Sequence, residues 1–279
     1  MTGAAAINPQ TVIIEPRGRL ELRLSEVWEY RDLLYFLIWR DIKVRYKQTA
    51  LGALWAILQP LLATIVFTLF FGRLAKIPSD GVPYPVFAYV ALVPWQLFAY
   101  SLTESSNSLV TNQNLIRKVY FPRLVIPLST VVVGLVDFAI AFLLVIAMLF
   151  KNRIVPGASI ALLPVFLLFA VATALAVGFW LSALNIQYRD IRYTIPFLTQ
   201  LWLLATPVAY PSSLIPERWR YLYALNPMAG VVEGFRWALL GKAAYPGPLI
   251  WVSATVVLVL LITGLAYFRR MESSFADIV

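Results

Sequence analysis

The stretch LVIPLSTVVVGLVDFAIAFLLVIAMLF, residues Leu124 to Phe150, decides the fold class because Asp137 is its only charged residue. A helix needs about 20 apolar residues to cross the roughly 30 Å hydrocarbon core of a bilayer. This stretch exceeds that length. The whole chain has a matching composition, since 61% of its 279 residues are hydrophobic and only 13% are charged. The sequence therefore predicts an integral membrane protein.

Other stretches of the chain are comparably apolar. The one at Ile195 to Pro211 is shorter and has a proline near each end, but its centre carries no charge, so we count it as a span. There is no low-complexity tract and no repeat of 20 to 50 residues, which favours a single domain over residues 1–279. The predicted fold is an all-α polytopic membrane protein with six transmembrane helices, at 51–71, 85–102, 124–150, 158–184, 195–211 and 249–268.

The basic residues predict the orientation of these helices. An even number of crossings puts both termini on one side of the membrane. Of the 23 Lys and Arg residues, 15 fall on the side of the termini and 8 on the other side. Because cytoplasmic segments are enriched in Lys and Arg, both termini are expected in the cytoplasm. The first fifty residues have no apolar core followed by a cleavage site, so we expect no cleavable signal peptide.

Several kinds of chemistry are excluded by residues that the chain lacks. Without Cys or His, the chain has no disulfide framework, no common zinc site and no His-assisted nucleophile. A phosphate-binding loop needs Gly, four residues and then Gly-Lys-Ser/Thr, and the nearest approach, Gly234 to Lys242, has the wrong spacing. The net charge of +9 lies in clusters beside apolar runs, which favours anionic lipid over nucleic acid as its partner.

Few polar side chains are predicted inside the spans. Asp137 is an isolated carboxyl that either relays protons or, as is more usual for a single group, bonds a neighbouring helix or stays neutral. The glutamines at 59, 96 and 200 are interpreted as helix contacts rather than binding groups. Small residues recur every four positions in the fourth span and allow another helix to approach, either within one subunit or between two: Ala170, Ala174, Gly178 and Ser182.

Two segments are neither spans nor simple loops. Residues 25–47 place apolar side chains at helical spacing among basic residues, but their apolar core is too short to cross a bilayer. We predict an amphipathic helix in the cytoplasmic interface, the alternative being a plain topogenic anchor. Residues 216–241, PERWRYLYALNPMAGVVEGFRWALLG, lie on the outer side and break at Asn226-Pro227 into two helical pieces. They predict either a re-entrant helical pair or an aromatic belt at the interface.

Three further stretches, taken together and in this order, identify a family resemblance. They are LIWRDIKVRYKQTALGALWAILQPL (37–61), LIRKVYFPRLVIPLS (115–129) and LNPMAGVVEGFRWALLG (225–241). On these residues the chain resembles the membrane subunits of ABC-2 type exporters, in particular the permeases that export O-antigen, capsule and teichoic acid polysaccharides. The resemblance runs from about Leu33 to Phe268.

The resemblance implies a transport subunit of the bacterial inner membrane that is not itself an enzyme. Its expected substrate is a lipid-linked polysaccharide carried outward from the cytoplasm. Two copies of a separate nucleotide-binding subunit are expected to bind ATP and Mg²⁺, with no cofactor in this chain. The chain itself is expected to form a homodimer around a pore. An ABC-2 exporter of a drug or small lipid is the alternative function, and an ion-coupled secondary transporter is less well supported because midplane charges and inverted repeats are not evident.

The resemblance also implies roles for particular residues. Those expected to contact the nucleotide-binding subunit are Arg117, Lys118, Tyr120, Phe121, Pro122 and Arg123, with Tyr188, Arg189 and Asp190 on a second short loop. Aromatic residues expected to line the pore, in the first and fifth spans, are Trp55, Phe67, Phe70, Trp202 and Tyr210. Residues expected to form a periplasmic gate are Trp219, Tyr223, Asn226, Pro227, Glu233, Phe235, Arg236 and Trp237.

Overall fold

A computed structural model of the chain describes residues 24–47, 52–241, 247, 249–272 and 274–275, and these contain helices and turns without a strand. The expectation about a signal peptide and the predicted first residue of the first span, Leu51, lie outside the described residues. The α-helices that the described residues form are α1 (Leu24–Glu29), α2 (Arg31–Lys47), α3 (Leu54–Phe67), α4 (Tyr84–Thr111), α5 (Gln113–Lys118), α6 (Val125–Lys151), α7 (Leu163–Gln187), α8 (Ile191–Ala205), α9 (Arg220–Ala224), α10 (Pro227–Leu240) and α11 (Leu249–Glu272).

Five of the helical segments are long and apolar enough to cross a membrane. A π-helical turn, Thr68–Leu74, extends α3, and a 3-10 turn, Ala158–Leu162, precedes α7. The five segments coincide with five of the six predicted spans, which confirms an all-helical, multi-pass membrane protein. They are Leu54–Leu74, Tyr84–Thr111, Val125–Lys151, Ala158–Gln187 and Leu249–Glu272.

The stretch predicted as a span at 195–211 has a different form. The helix there, α8, has 15 residues and is about 22 Å long, which is less than the hydrocarbon thickness. It ends at Ala205, and irregular backbone follows. Pro207 and Pro211 contribute to this ending, because proline has no N–H to donate to a helical hydrogen bond.

Helix α4 is the centre of the molecule and the most buried of the five long segments. It packs against α3, α6, α7, α8 and α10. It continues to Thr111, nine residues beyond the predicted end at Leu102. The extension is rich in hydroxyl groups that bond carbonyls of the same helix, for example Ser106 Oγ to Leu102 O at 2.6 Å. At about 42 Å, α4 is longer than the hydrocarbon core is thick.

The small residues of α7 contact α4 within the same chain. All four positions of the predicted stripe, from Ala170 to Ser182, are buried. A Cβ atom added at Gly178 would collide with the Ser105 side chain of α4. The structure thus decides between the two alternatives left open by the sequence, because this close approach joins two helices of one subunit.

The predicted interface helix, 25–47, is present as α1 and α2. Helix α2 packs against α6. Its Leu37 is buried in a cluster with Ile116 and Phe121 of the chain that links α4 to α6. Large aromatic side chains remain exposed along the two helices, namely Trp28, Tyr35, Phe36 and Trp39. Exposed aromatic and basic residues on one packed helix are typical of a helix in the membrane interface.

Candidate coupling surface and outer segment

The loop between α4 and α6 presents an exposed basic and aromatic surface. It begins with the short helix α5 and continues in extended backbone at Val119. Arg117 and Lys118 are exposed, and Tyr120 exposes 62% of its surface. We call Arg117, Lys118, Val119 and Tyr120 the coupling surface. A cationic surface with an aromatic side chain suits binding to an acidic protein groove.

The second half of this loop, which also belongs to the predicted contact set, is buried. Phe121 exposes 1% and Arg123 7% of their surfaces, and Pro122 is buried as well. Phe121 packs in the same cluster as Leu37 of α2 and Phe268 of α11. These side chains contact other parts of their own chain and support the coupling surface. Their contact with a nucleotide-binding subunit stays a prediction.

The buried carboxylate of Glu272 joins the buried half of this loop to α1 and α11, near both described ends of the chain. Glu272, at the end of α11, accepts a hydrogen bond from the backbone N–H of Arg123 at 2.9 Å. Its other oxygen accepts one from Arg269 at 2.8 Å, and Arg269 also contacts Glu26 of α1 at 3.5 Å. Sequence reasoning missed these residues. The three-residue spacing of Arg269 and Glu272 on one helix face was the available signal.

Helix α2 is bonded to the start of the loop between α4 and α6, which we call the coupling loop. Asn112 lies between α4 and α5, and its side-chain amide donates to Ser108 O at 2.9 Å. Its side-chain oxygen accepts a hydrogen bond from Arg40 of α2 at 3.0 Å. Arg40 also pairs with Asp41 at 2.8 Å. The position where α4 gives way to α5 is therefore bonded directly to α2.

Asp137 bonds a neighbouring helix, the second of the two interpretations above. Arg45 forms an ion pair with Asp137, and the Tyr46 hydroxyl donates a hydrogen bond to the same carboxylate. Burial, and then this hydrogen bond, raise the pKa of Tyr46 above its ordinary value, so the hydroxyl remains a donor. The Arg45 guanidinium also lies 4.3 Å from the centroid of the Tyr100 ring. Asp137 thus anchors α2 to α6.

The position of this anchor is nearer the membrane edge than the sequence suggested. Tyr100 is sixteen residues from the N-terminal end of α4 at Tyr84, which corresponds to about 24 Å along the helix. Measured from Tyr84, the ion pair therefore lies nearer a boundary than the centre of a hydrocarbon core that is roughly 30 Å thick. A charged pair at that depth costs less to bury than one at the membrane centre.

The second short loop also presents exposed residues. Tyr188, Arg189 and Asp190 are all exposed between α7 and α8. The residue before them, Gln187, accepts a hydrogen bond from Tyr267 of α11 at 3.4 Å. The second loop and the coupling loop therefore both lie beside the C-terminal end of α11.

The predicted channel aromatics divide into exposed and inward-facing residues. Trp55 and Phe70 are exposed at 51% and 58%, whereas Phe67 packs edge-on against Phe71. Trp202 packs against Phe98, with 4.9 Å between the ring centroids. The Tyr210 hydroxyl donates to Leu204 O at 3.3 Å and accepts from Tyr223 at 3.3 Å. Trp202 and Tyr210, the two predicted pore-lining residues in α8 and after it, therefore contact other residues of the same subunit.

The segment that the sequence predicts on the outer side, residues 216–241, is called the outer segment below. The side chain of Asn226 makes several of its hydrogen bonds. Its side-chain oxygen caps α10 by accepting from Met228 N at 3.1 Å, and it also accepts from Trp202 Nε1 at 2.8 Å. Its amide donates to Ala205 O at 3.1 Å and to Thr206 Oγ1 at 3.0 Å. One side chain thus joins the end of α8 to the start of α10, at the break that the sequence predicts.

Arg236 satisfies the irregular backbone after α8. Its guanidinium donates to the carbonyls of Pro207, Val208 and Tyr210, and to Phe87 O of α4. It also lies 3.5 Å from the centroid of the Phe87 ring. Non-helical backbone at membrane depth requires protein groups of this kind to bond its carbonyls. Arg236 is therefore a buried support of this segment, and its role in a gate stays a prediction.

The remaining predicted gate residues differ in exposure. Pro227 and Phe235 are buried, and Phe235 packs edge-on against Phe138 of α6 at 6.0 Å between centroids. Trp237 packs against Phe166 at 6.5 Å. Trp219 exposes 51% of its surface. Helix α10 is therefore largely a core element, and the exposed part of the predicted gate lies before it.

Glu233 carries a buried oxygen that has no hydrogen-bond partner in the described part of the chain. Burial raises its pKa to about 7, against the opposite influence of Arg236 and Arg220. A carboxyl with this pKa changes its charge near neutral pH. Across the ranges that the structure describes, no three His, Cys, Asp or Glu side chains are grouped so that they could hold a metal ion.

Comparison with known proteins identifies the family. The ABC-2 type transporter family matches residues 32–240, and the chain belongs to it. The chain is 32% identical over 259 residues to the O-antigen export system permease protein RfbA of Myxococcus xanthus, covering 91% of this chain and 98% of that protein. It is 31% identical over 249 residues to the RfbA protein of Klebsiella pneumoniae, covering 89% and 95% of the two chains.

A more distant relative is named for the transport of a different polysaccharide. The polysialic acid transport protein KpsM of Escherichia coli is 25% identical over 244 residues, covering 85% of this chain and 93% of that protein. The relatives named here are thus O-antigen or polysaccharide transport proteins of nearly the same length. The resemblance inferred from the three sequence stretches is confirmed.

Proposed function

We propose that this chain is the permease subunit of an ATP-driven exporter that moves a lipid-linked polysaccharide from the cytoplasm across the bacterial inner membrane. Membership of the ABC-2 family and relatives named for O-antigen and polysialic acid transport support this function. These names favour a saccharide over the alternative cargo, a drug or small lipid. The observation that carries the proposal is the exposed coupling surface. It lies on a loop that is bonded to α2 and α11 and, through Arg269, to α1.

The topology includes six crossings, with both termini in the cytoplasm. Arg269 near the end of α11 contacts Glu26 of α1 at 3.5 Å, which supports both described ends lying on one side. With only the five long segments as crossings, the two ends would lie on opposite sides of the membrane. Helix α8 and the backbone that Arg236 and Asn226 support supply the remaining crossing. Helices α9 and α10 then form a re-entrant pair on the outer side, and the excess of Lys and Arg assigns the termini to the cytoplasm.

The coupling surface binds a separate nucleotide-binding subunit. Arg117 and Lys118 pair with acidic groups of that subunit, and Tyr120 occupies an apolar pocket. The exposed loop at Tyr188 to Asp190 adds a smaller contact. The partner is present in two copies and binds ATP and Mg²⁺, while this chain binds no cofactor and hydrolyses no ATP.

The transport path lies between two copies of the chain. Exposed aromatic residues of α3, including Trp55 and Phe70, contribute to its wall. The exposed part of the outer segment, from Trp219 to Leu225, forms the periplasmic gate. Its rigid base is the region bonded by Asn226 and Arg236, so opening moves the part before α10.

The first experiment replaces Arg117 by Glu and measures assembly with the nucleotide-binding subunit. Reversing one exposed charge of the coupling surface is expected to lower recovery of the partner on co-purification and to lower ATP hydrolysis by the complex about tenfold or more. The melting temperature of the chain should not change, because Arg117 is exposed. Lys151→Glu, at the exposed outer end of α6, is the charge-matched control.

Two results oppose the proposal. Recovery of the partner at the wild-type level by Arg117→Glu would show that the loop serves membrane topology only. Robust ATP hydrolysis by the purified chain alone, without the partner, would contradict its assignment as a subunit that lacks an ATPase.

A further inference from the structure

The coupling loop is bonded near its two ends to two different helices. Asn112, where the loop begins, accepts a hydrogen bond from Arg40 of α2 at 3.0 Å. Arg123, near the end of the loop, donates its backbone N–H to Glu272 of α11 at 2.9 Å. The coupling surface lies between these two positions. A movement of the coupling surface therefore reaches α2 and α11 directly, in addition to α4 and α6, which the loop joins covalently.

The bond to α11 involves a buried charge. Glu272 exposes 1% of its surface, and its second oxygen accepts a hydrogen bond from Arg269 at 2.8 Å. The same region also contains an apolar cluster, in which Phe121 of the loop packs with Phe268 of α11. Because apolar residues often stabilise a buried position as well as an ion pair does, stability alone does not explain the carboxylate. What it adds is a directional, charge-assisted bond from α11 to one backbone atom of the loop.

The opposite end of α11 is bonded to the outer segment. Ser253, in the first turns of α11, is 1% exposed and donates a hydrogen bond to the carbonyl of Ala224 at 2.6 Å. Ala224 is the last residue of α9, which belongs to the part of the outer segment proposed to move. Gly230 of α10 lies against the same serine, since an added Cβ would be 3.3 Å from the serine Oγ. Helix α11 thus meets the outer segment at a second directional bond.

Helix α11 spans the distance between these two bonds. Ser253 and Glu272 are nineteen residues apart, or about 28 Å along one uninterrupted helix. Rigid helices and hydrogen-bond networks are the means by which distant sites are coupled. Helix α4 runs beside it, but α4 contains Pro94, packs against five helices and is the most buried of the long segments. Helix α11 is far less buried, so its displacement disturbs fewer contacts.

Resting on the proposed function, we infer that α11 transmits the movement of the coupling loop to the outer segment, with Glu272 and Ser253 as positioning residues at its two ends. When the nucleotide-binding subunit shifts the coupling surface, Glu272 carries the shift into α11. Ser253 then displaces Ala224 and with it α9. Helix α10 stays in place because Asn226 and Arg236 bond its region to the backbone after α8, so α9 moves relative to α10.

A cysteine reporter on the outer segment tests this inference, because the chain has no native cysteine to interfere. Leu225→Cys, at a position that is 49% exposed, is combined with Glu272→Gln or with Ser253→Ala. Each protein is reconstituted in phospholipid vesicles with the nucleotide-binding subunit and treated with a charged thiol reagent. The reporter alone is expected to react faster during ATP turnover with polysaccharide than at rest. Either second substitution should abolish this acceleration although the complex still hydrolyses ATP.

Export per ATP hydrolysed supplies a quantitative result. Ser253→Ala removes one hydrogen bond between neutral groups and should lower it about fivefold, whereas Glu272→Gln loses an acceptor for a charged donor and should lower it about tenfold or more. If both residues act through α11, the double variant should export no less than Glu272→Gln alone, whereas two independent defects would multiply to about fiftyfold. Thr255→Ala and Arg270→Gln change exposed residues of the same helix and should export at the wild-type level.

Four outcomes overturn the inference while export by the wild-type complex upholds the proposed function. The reporter alone may label equally at rest and in turnover only if the outer segment does not move. Acceleration that persists in both variants means that the movement takes another route. Independent, multiplying defects mean that the two residues act separately. Wild-type export by Ser253→Ala means that its bond transmits nothing.

The serine variant also covers the case in which Glu272→Gln fails to assemble. Ser253 lies at the far end of α11 from the coupling surface, so Ser253→Ala should recover the nucleotide-binding subunit fully and decides the inference alone. A wild-type complex that hydrolyses ATP and exports no polysaccharide would instead overturn the proposed function.

Discussion

The side chains of Asn226 and Arg236 show how single residues sustain a broken helix in this protein. Together they bond the backbone from Ala205 to Tyr210, which has no helical partner for these carbonyls. The sequence placed both residues in the segment 216–241, where Asn226-Pro227 is a break and the family resemblance implies a gate. Their direction could not be predicted, since the carbonyls they bond lie more than fifteen residues earlier in the chain.

Glu233 predicts a pH dependence at the same scale. Its pKa is raised to about 7 by burial, so the folded state favours the neutral carboxyl. The resulting contribution to stability is complete below the ordinary carboxyl pKa and is lost as the pH rises through about 7. We expect the melting temperature of the detergent-solubilised chain to fall between pH 5 and pH 8.

A neutral substitution isolates this contribution. Glu233→Gln should match the wild type at pH 5 and be the more stable protein at pH 8, which thermal unfolding followed by circular dichroism would measure. Glu217→Gln, at an exposed position of the same outer segment, should leave the wild-type profile unchanged. Identical pH profiles for Glu233→Gln and the wild type would show that burial adds no free-energy cost to ionisation of this carboxyl.

At the scale of helices, hydropathy located the long segments well and missed two features. The predicted span 124–150 corresponds to Val125–Lys151, and 249–268 to Leu249–Glu272. The extension of α4 to Thr111 was missed because its Ser, Thr and Asn side chains look like a loop, whereas they bond the helix itself. The short length of α8 was missed because apolar residues continue into the irregular backbone after it.

The attachment of α2 to α6 is tested by removing its acceptor. Asp137→Ala leaves Arg45 and Tyr46 without the carboxylate that both contact, at a cost of about 1 to 3 kcal/mol. Amide hydrogen exchange along Arg31–Lys47 should become about five- to a hundredfold faster. Asp32→Ala removes an exposed carboxylate from the same helix and should leave exchange unchanged. Equal exchange in the two variants would mean that packing alone holds α2.

The gate proposed for the outer segment predicts an accessibility that depends on the transport state. A cysteine at Asn226 would remove the bonds that join α8 to α10, so the neighbouring residue Leu225, which is 49% exposed, is the better probe. In the complete transporter, Leu225→Cys should react slowly at rest and faster during ATP turnover with polysaccharide. Leu214→Cys, at an outer position that is 52% exposed, should react equally in both states. The same equal reactivity at Leu225 would identify this segment as a static interfacial belt.

The whole molecule is a central helix with a bonded assembly at each end. At one end, Arg40 and Glu272 tie the interface helix and the described chain ends to the coupling loop, and Arg45 ties the interface helix to α6. At the other end, Asn226 and Arg236 tie the end of α8 and the backbone after it to α10 and α4. The sequence predicted both assemblies as the sites of function, from clusters of basic and aromatic residues outside the spans. It did not predict which side chains bind within the chain and which remain available to partners, because burial depends on contacts between distant helices.

Vectorial transport in reconstituted vesicles tests the central claim most directly. The chain and its nucleotide-binding subunit are placed in phospholipid vesicles with a labelled lipid-linked polysaccharide on the side of the coupling surface. ATP should then bring the saccharide to the opposite side, where an added glycosidase can reach it, and Arg117→Glu should abolish this movement. If the saccharide stays inaccessible although the wild-type complex hydrolyses ATP, this chain is not a polysaccharide permease.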